Sequence, residues 1–180
     1  MINSGRTAAL RIASALLKHH QWRVTFTAGR DEALLKELQE LSSNAPVPAE
    51  ILGWTDRIPE LLMTHHVVIS KAGGATTQES INALCPLLVS QIVPGQEEGN
   101  YELIRRNEAG ALAETPEQIV ATLKRAFVDD ALVWRQWRTN LQRIAQPAAA
   151  RQIASVVLES TAGKAPRALP PVVRNRPLPA

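Results

Sequence analysis

The sequence predicts an α/β fold: a doubly wound, mostly parallel, Rossmann-like sheet with further helices at its C-terminal end. Three observations predict it. Apolar runs of strand length, such as Val67–Ser70 and Pro86–Ser90, alternate with stretches whose apolar residues recur at helical spacing. Glycine turns follow several of the strand-like runs, as at Ala28-Gly29 and Gly73-Gly74. The length, 180 residues with 45% apolar content, suits one ordinary domain with a sizeable core.

The elements follow in order. Arg6–His19 has helical periodicity, and Trp22–Thr27 reads as a strand closed by Ala28-Gly29. Asp31–Leu41 is helical, with Leu34, Leu35, Leu38 and Leu41 on one face. Pro46 and Pro48 break the chain before a short strand, Glu50–Leu52, and a short helix, Ile58–Thr64. Val67–Ser70 is a buried strand, Thr76–Leu84 a helix, and Pro86–Ser90 another strand. Glu97–Arg106 is a helix and Ala109–Ala113 a short strand. Thr115-Pro116-Glu117-Gln118 announces a helix, because threonine caps, proline fits the first position and glutamine reaches back from the third. From Val120 to about Ser160 the pattern is helical, interrupted near Pro147.

Composition bounds the function. A single cysteine, Cys85, rules out an internal disulfide and makes a reducing compartment the default. No stretch approaches the roughly 18–20 apolar residues that span a bilayer. Residues 161–180 hold Lys164, Arg167, Arg174, Arg176 and five prolines but no acid, and form a basic tail expected to be disordered. Without those four cations the first 160 residues carry −1, so the net charge of +3 belongs to the tail. The tail lacks aromatic residues and the core has no basic surplus, which argues against nucleic acid. The expected location is cytoplasmic, and the sharper reading of the tail adds peripheral contact at the inner face of a membrane.

In a doubly wound sheet, ligands bind outside the carboxyl ends of the strands. The loops to inspect are therefore 28–30, 53–56, 71–77 and 91–98. In Val67–Glu79 a strand runs into Gly73-Gly74 and then a helix. Glycine lets the backbone approach a ligand closely, and the helix N–H groups suit a diphosphate. Thr76 and Glu79 share a helix face, where a hydroxyl could meet phosphate and a carboxylate the two ribose hydroxyls. The same spacing is also a capping box. The segment is neither a P-loop nor the three-glycine dinucleotide fingerprint. In the next loop, Gln96 and Asn100 project from one face of an opening helix turn, and amides suit sugar hydroxyls. Glu97 and Glu98 are explained by the helix dipole.

The ordered set Gly53-Trp-Thr-Asp56, Ser70-Lys-Ala-Gly-Gly-Ala-Thr76, Glu79, Pro86 and Pro94-Gly-Gln-Glu-Glu-Gly-Asn100 resembles glycosyltransferase family 28. The likeness is greatest to diacylglycerol glycosyltransferases and monogalactosyldiacylglycerol synthases, and more distant to the peptidoglycan GlcNAc transferase. It covers residues 1 to about 160. It implies one half of a GT-B fold, the C-terminal domain that binds a UDP-sugar donor. By that resemblance the backbone at Thr55 meets the uracil. Gly73, Gly74, Ala75 and Thr76 line the diphosphate, Glu79 binds the ribose, and Gln96 and Asn100 bind the sugar. No bound metal or other cofactor is implied. The resemblance implies transfer to an acceptor hydroxyl, that of a lipid, with inversion.

Three departures from the family pattern stand out. Ala72 replaces a common proline and Leu84 a usual helix-ending glycine. Met1–Gly5 reads as the remnant of a first strand and its loop, so the catalytic base and acceptor site are expected in an N-terminal domain. The chain by itself is expected to be inactive. Alternatives at this level are a non-catalytic donor-binding subunit with a separate partner, a fragment of a UDP-sugar epimerase, or an inactive remnant. Lys71 is either a phosphate contact or a solvated charge. Cys85 reads as buried, and Trp134 and Trp137 as packing residues.

Overall fold

The computed structural model describes residues 5–161. The basic tail beyond Thr161 and the proposed strand remnant at Met1–Ser4 lie outside the described residues. The chain forms two compact units that divide after Ala145.

The first unit runs α1 (Arg6–Leu16), β1 (Thr25–Thr27), α2 (Glu32–Ser43), β2 (Glu50–Leu52), α3 (Ile58–Thr64), β3 (Val68–Lys71), α4 (Gly74–Asn82), β4 (Leu87–Gln91), α5 (Glu98–Arg106), β5 (Gly110–Leu112), α6 (Pro116–Phe127), a 3-10 turn at Asp129–Ala131 and α7 (Leu132–Ile144). The second unit contributes α8 (Ala149–Thr161), on which Ile153, Val157 and Leu158 are exposed.

Local sequence explains several boundaries. Asp31 caps α2, its carboxylate accepting from the Leu34 N–H at 2.9 Å. Thr115 and Gln118 form the expected capping box on α6. Both α4 and α5 end in the same way. After α4, Leu84 N–H donates to Ile81 and Cys85 N–H to Ser80. After α5, Glu108 N–H donates to Arg105 and Ala109 N–H to Ile104. This pattern requires a left-handed residue, normally glycine, yet Leu84 (φ 56°) and Glu108 (φ 46°) occupy the two positions.

All strand pairs are parallel, as the alternation predicts, but the ladder is in two pieces. β1 pairs with β2, and β3, β4 and β5 pair in that order. Among the described residues no backbone hydrogen bond joins β1 to β3, so the single continuous sheet expected from sequence is instead divided there. Side chains connect the pieces. One face of α1 serves both, with Ala9 and Ala13 packing beside Ala28 and Leu34, and Ile12 and Leu16 joining the core of Leu88, Ile119, Leu123 and Trp137. Thr25 Oγ1 also meets His65 Nε2 at 2.9 Å. β4 is the most deeply buried strand, because Leu87, Leu88 and Val89 are fully enclosed. Its neighbour β5 approaches so closely that a Cβ at Gly110 would stand 2.1 Å from the Leu87 carbonyl oxygen.

Candidate functional site

The carboxyl ends of β3 and β4 bring two of the predicted loops together, 71–77 and 91–98. α4 begins at Gly74, two residues earlier than the pattern predicts, with Gly73 as its cap residue and no side chain bonded to its first turn. This overturns the capping-box reading. Thr76 is the third residue of the helix and Glu79 the sixth, so neither can cap it. Thr76 is half-buried and Glu79 exposed. The N–H groups of Gly74, Ala75 and Thr76 precede the first intrahelical donor, Thr77, which bonds to Gly73 at 2.9 Å. An uncapped helix end of this kind presents positive potential and free donors to an anion. The Thr77 hydroxyl is fully buried in the first turn without a hydrogen-bond partner, as is the Ser90 hydroxyl at the end of β4.

The second loop closes on the first. Asn100, in the first turn of α5, donates its side-chain amide to the Ala72 carbonyl at 2.9 Å. One of its two amide N–H donors therefore fastens the two loops together. Gln96 does not share a helical turn with Asn100, as the spacing predicts, because α5 starts at Glu98. Gln96 is exposed in the preceding turn, its N–H bonded to Val93 at 3.2 Å. Thr55 is half-buried beyond β2, in the other piece of the sheet, and its hydroxyl accepts from the Arg57 N–H at 3.1 Å.

The two glutamates differ more than the helix dipole alone suggests. Glu98 is exposed and accepts from Gly95 N–H at 2.6 Å, and that bond, with further backbone N–H groups, holds its carboxyl below the usual range. Glu97 is buried. One carboxylate oxygen accepts from Val93 N–H at 3.0 Å and the other pairs with Lys71. Lys71 is thus paired rather than free, though its side chain stays partly exposed. The sequence carries both residues, but they lie 26 positions apart. Only the adjacency of β3 and β4, with an irregular register at Ser70–Lys71, brings them together.

Other candidates resolve as packing. The Cys85 thiol is buried, which pushes its pKa up to about 12, and it points at the His65 carbonyl. His65 lies between Thr25 and the Leu61 carbonyl. Trp137 is in the core, while Trp134 donates to the His66 carbonyl at 2.7 Å beneath the Arg138 guanidinium. An open groove of about 570 Å³ between α1 and α2, lined by Leu10, Arg11, Glu37 and Leu41, contains none of the predicted site residues.

Parallel strands flanked by helices, with the glycine loop at their carboxyl ends, form one Rossmann-like half of a GT-B fold. Solved structures bear this out. The calicheamicin glycosyltransferase CalG4 superposes on 89% of this chain and 41% of its own, at TM-score 0.59 and 18% identity. The spinosyn rhamnosyltransferase SpnG matches 84% of this chain and 41% of its own, at 0.57 and 18%. Relatives by sequence include monogalactosyldiacylglycerol synthases and diacylglycerol glucosyltransferases, the proteins that the family 28 resemblance points to. A probable monogalactosyldiacylglycerol synthase 2 of Oryza sativa subsp. indica is 28% identical over 127 residues, covering 71% of this chain and 27% of the relative. A processive diacylglycerol beta-glucosyltransferase of Bacillus thuringiensis is 26% identical over 137 residues, covering 76% and 35%. Monogalactosyldiacylglycerol synthase 2 of Arabidopsis thaliana is 26% identical over 140 residues, covering 78% and 30%. No family model matches the chain. The chain spans about a third of the length of the curated relatives it matches. Among the described residues no helix is long and apolar enough to cross a membrane.

Proposed function

We propose that the chain is the UDP-sugar-binding domain of a glycosyltransferase whose acceptor is a lipid hydroxyl. The observation that carries this reading is the uncapped start of α4 at Gly73-Gly74, at the carboxyl end of β3 and adjoining the 92–100 loop. The diphosphate would lie over Gly73 and Gly74 and take the N–H groups of Gly74, Ala75 and Thr76. Glu79, one turn further on, would accept from the ribose hydroxyls. Gln96, exposed in the next loop, would meet the sugar, and the backbone at Thr55 the base. Asn100 would act by setting the loop geometry through the Ala72 carbonyl. In transfer, the acceptor oxygen would attack the anomeric carbon and the bond to the diphosphate would break. The helix N-terminus would hold the negative charge that develops on the leaving group, so this reading requires no metal. The diacylglycerol chemistry of the relatives suggests a lipid acceptor, with peripheral contact at a membrane face. Calorimetry of the folded chain with UDP, ADP and GDP tests the donor reading. Preference for UDP is expected, and equal or absent binding refutes it.

A further inference from the structure

The Lys71–Glu97 pair has no role in the reading above, and its position gives it one. Lys71 closes β3 where the register with β4 shifts. Its ammonium pairs with the Glu97 carboxylate, whose side chain is 5% exposed while that of Lys71 remains 30% exposed. The Glu97 carboxylate is itself fixed by the Val93 N–H. The pair lies directly under the glycine turn. The point a Cβ at residue 73 would occupy is 3.4 Å from Lys71 Nζ and 3.8 Å from Glu97 Oε1. An oxygen placed in the space that Gly73 leaves open therefore touches the ammonium, beside the free N–H groups of α4.

We infer that Lys71 is a phosphate-reading residue of the donor site and that Glu97 is its positioning residue. This rests on the proposed UDP-sugar function. Without ligand, Glu97 neutralises Lys71 and holds it beneath the glycine turn. When a diphosphate settles on α4, Lys71 offers it a second of its three donors while keeping the bond to Glu97. The helix end favours any anion, and the lysine adds discrimination for the diphosphate over the bare nucleoside. A purely structural pair would act differently, because breaking it from either side would loosen both loops alike.

The test is a ligand series, uridine, UMP and UDP, titrated by calorimetry against the 180-residue chain and its K71M, K71R and E97Q variants. Lys71→Met is expected to weaken UDP by tenfold or more and uridine by less than threefold, so the UDP-to-uridine ratio collapses. Lys71→Arg should restore much of that ratio. Glu97→Gln keeps an oxygen that accepts from the Lys71 ammonium and removes a nearby negative charge, so its ratio should equal or exceed that of the unsubstituted chain, and a ratio as low as that of K71M would overturn the positioning role. Equal loss of uridine and UDP in K71M and E97Q would overturn the inference and leave a loop brace. Failure of the unsubstituted chain to bind any of the three would instead sink the donor reading on which the inference rests. Thermal melts of each variant identify any that fails to fold, and K71R then carries the comparison: a ratio near that of the unsubstituted chain is expected, and equal loss of uridine and UDP overturns the inference.

Discussion

Glu79→Ala separates the binding role of this residue from a structural one. From the sequence the two are entangled, because Thr76 and Glu79 match a capping box. The structure disentangles them. α4 starts at Gly74 and is capped by no side chain, and the Glu79 carboxylate is exposed in the middle of the helix. Alanine has slightly better helix propensity than glutamate, so the substitution should move stability by no more than about 0.5 kcal/mol. In a domain of this size that is a melting shift of only about 1–2 °C. If the carboxylate holds two ribose hydroxyls, its loss should cost about 1.5–3 kcal/mol of UDP affinity, roughly 10- to 150-fold. Calorimetric titration with UDP, paired with a thermal melt of the same sample, reads both quantities. Unchanged UDP affinity in the variant would refute the ribose assignment. A melting point lowered by 5 °C or more would refute the claim that Glu79 carries no structural load.

Three further outcomes follow from the backbone and the charges. Glu108→Gly should stabilise the chain by about 0.5–1 kcal/mol, because glycine relieves the left-handed conformation at an exposed position. Leu84→Gly should gain less or nothing, since that side chain also packs on the Ile81–Leu141 core; urea midpoints of the two variants measure the difference. Gly110→Ala should cost about 2–3 kcal/mol by the same assay, since the new methyl must displace the Leu87 carbonyl of the most buried strand. Lowering the pH should destabilise the fold from about pH 4.5 downward. Asp31, Glu60, Glu98, Glu102 and Glu117 all have depressed pKa values, through hydrogen bonds to backbone N–H groups or arginines, and Glu102 falls to about 2. A group with a depressed value stabilises the fold above its unfolded pKa and loses that contribution as it is protonated. Circular dichroism between pH 6 and pH 2 would show the loss, and a flat profile would contradict it.

Much of this architecture was legible in the residues. The bounds of β2 and α3 match the sequence pattern to the residue, and the Thr115–Gln118 cap forms as its chemistry requires. Short-range signals of this kind act within a few positions and survive folding. What was not legible depends on contacts across the sheet. Nothing local at Lys71 reveals that a glutamate 26 positions on will neutralise it, and nothing at Asn100 reveals that its amide is used by Ala72. Thr76 has the chemistry of a cap, yet α4 starts two residues before it, because glycine can open a helix without a side-chain cap. The replacement at Leu84 was visible, but its meaning was not. Only the φ of 56° shows that a side chain occupies a conformation suited to glycine.

The seam between the two pieces of sheet bears on what a ligand would do to this chain. Thr55 follows β2 in one piece, and Gly73–Asn100 belong to the other. A nucleotide that set its base against Thr55 and its diphosphate against α4 would reach from one piece to the other where no backbone ladder does. It would act as a brace across the sheet as well as a substrate. Occupancy would then be felt as rigidity, raising the cost of parting the two pieces by the whole of the binding free energy that depends on their being held together.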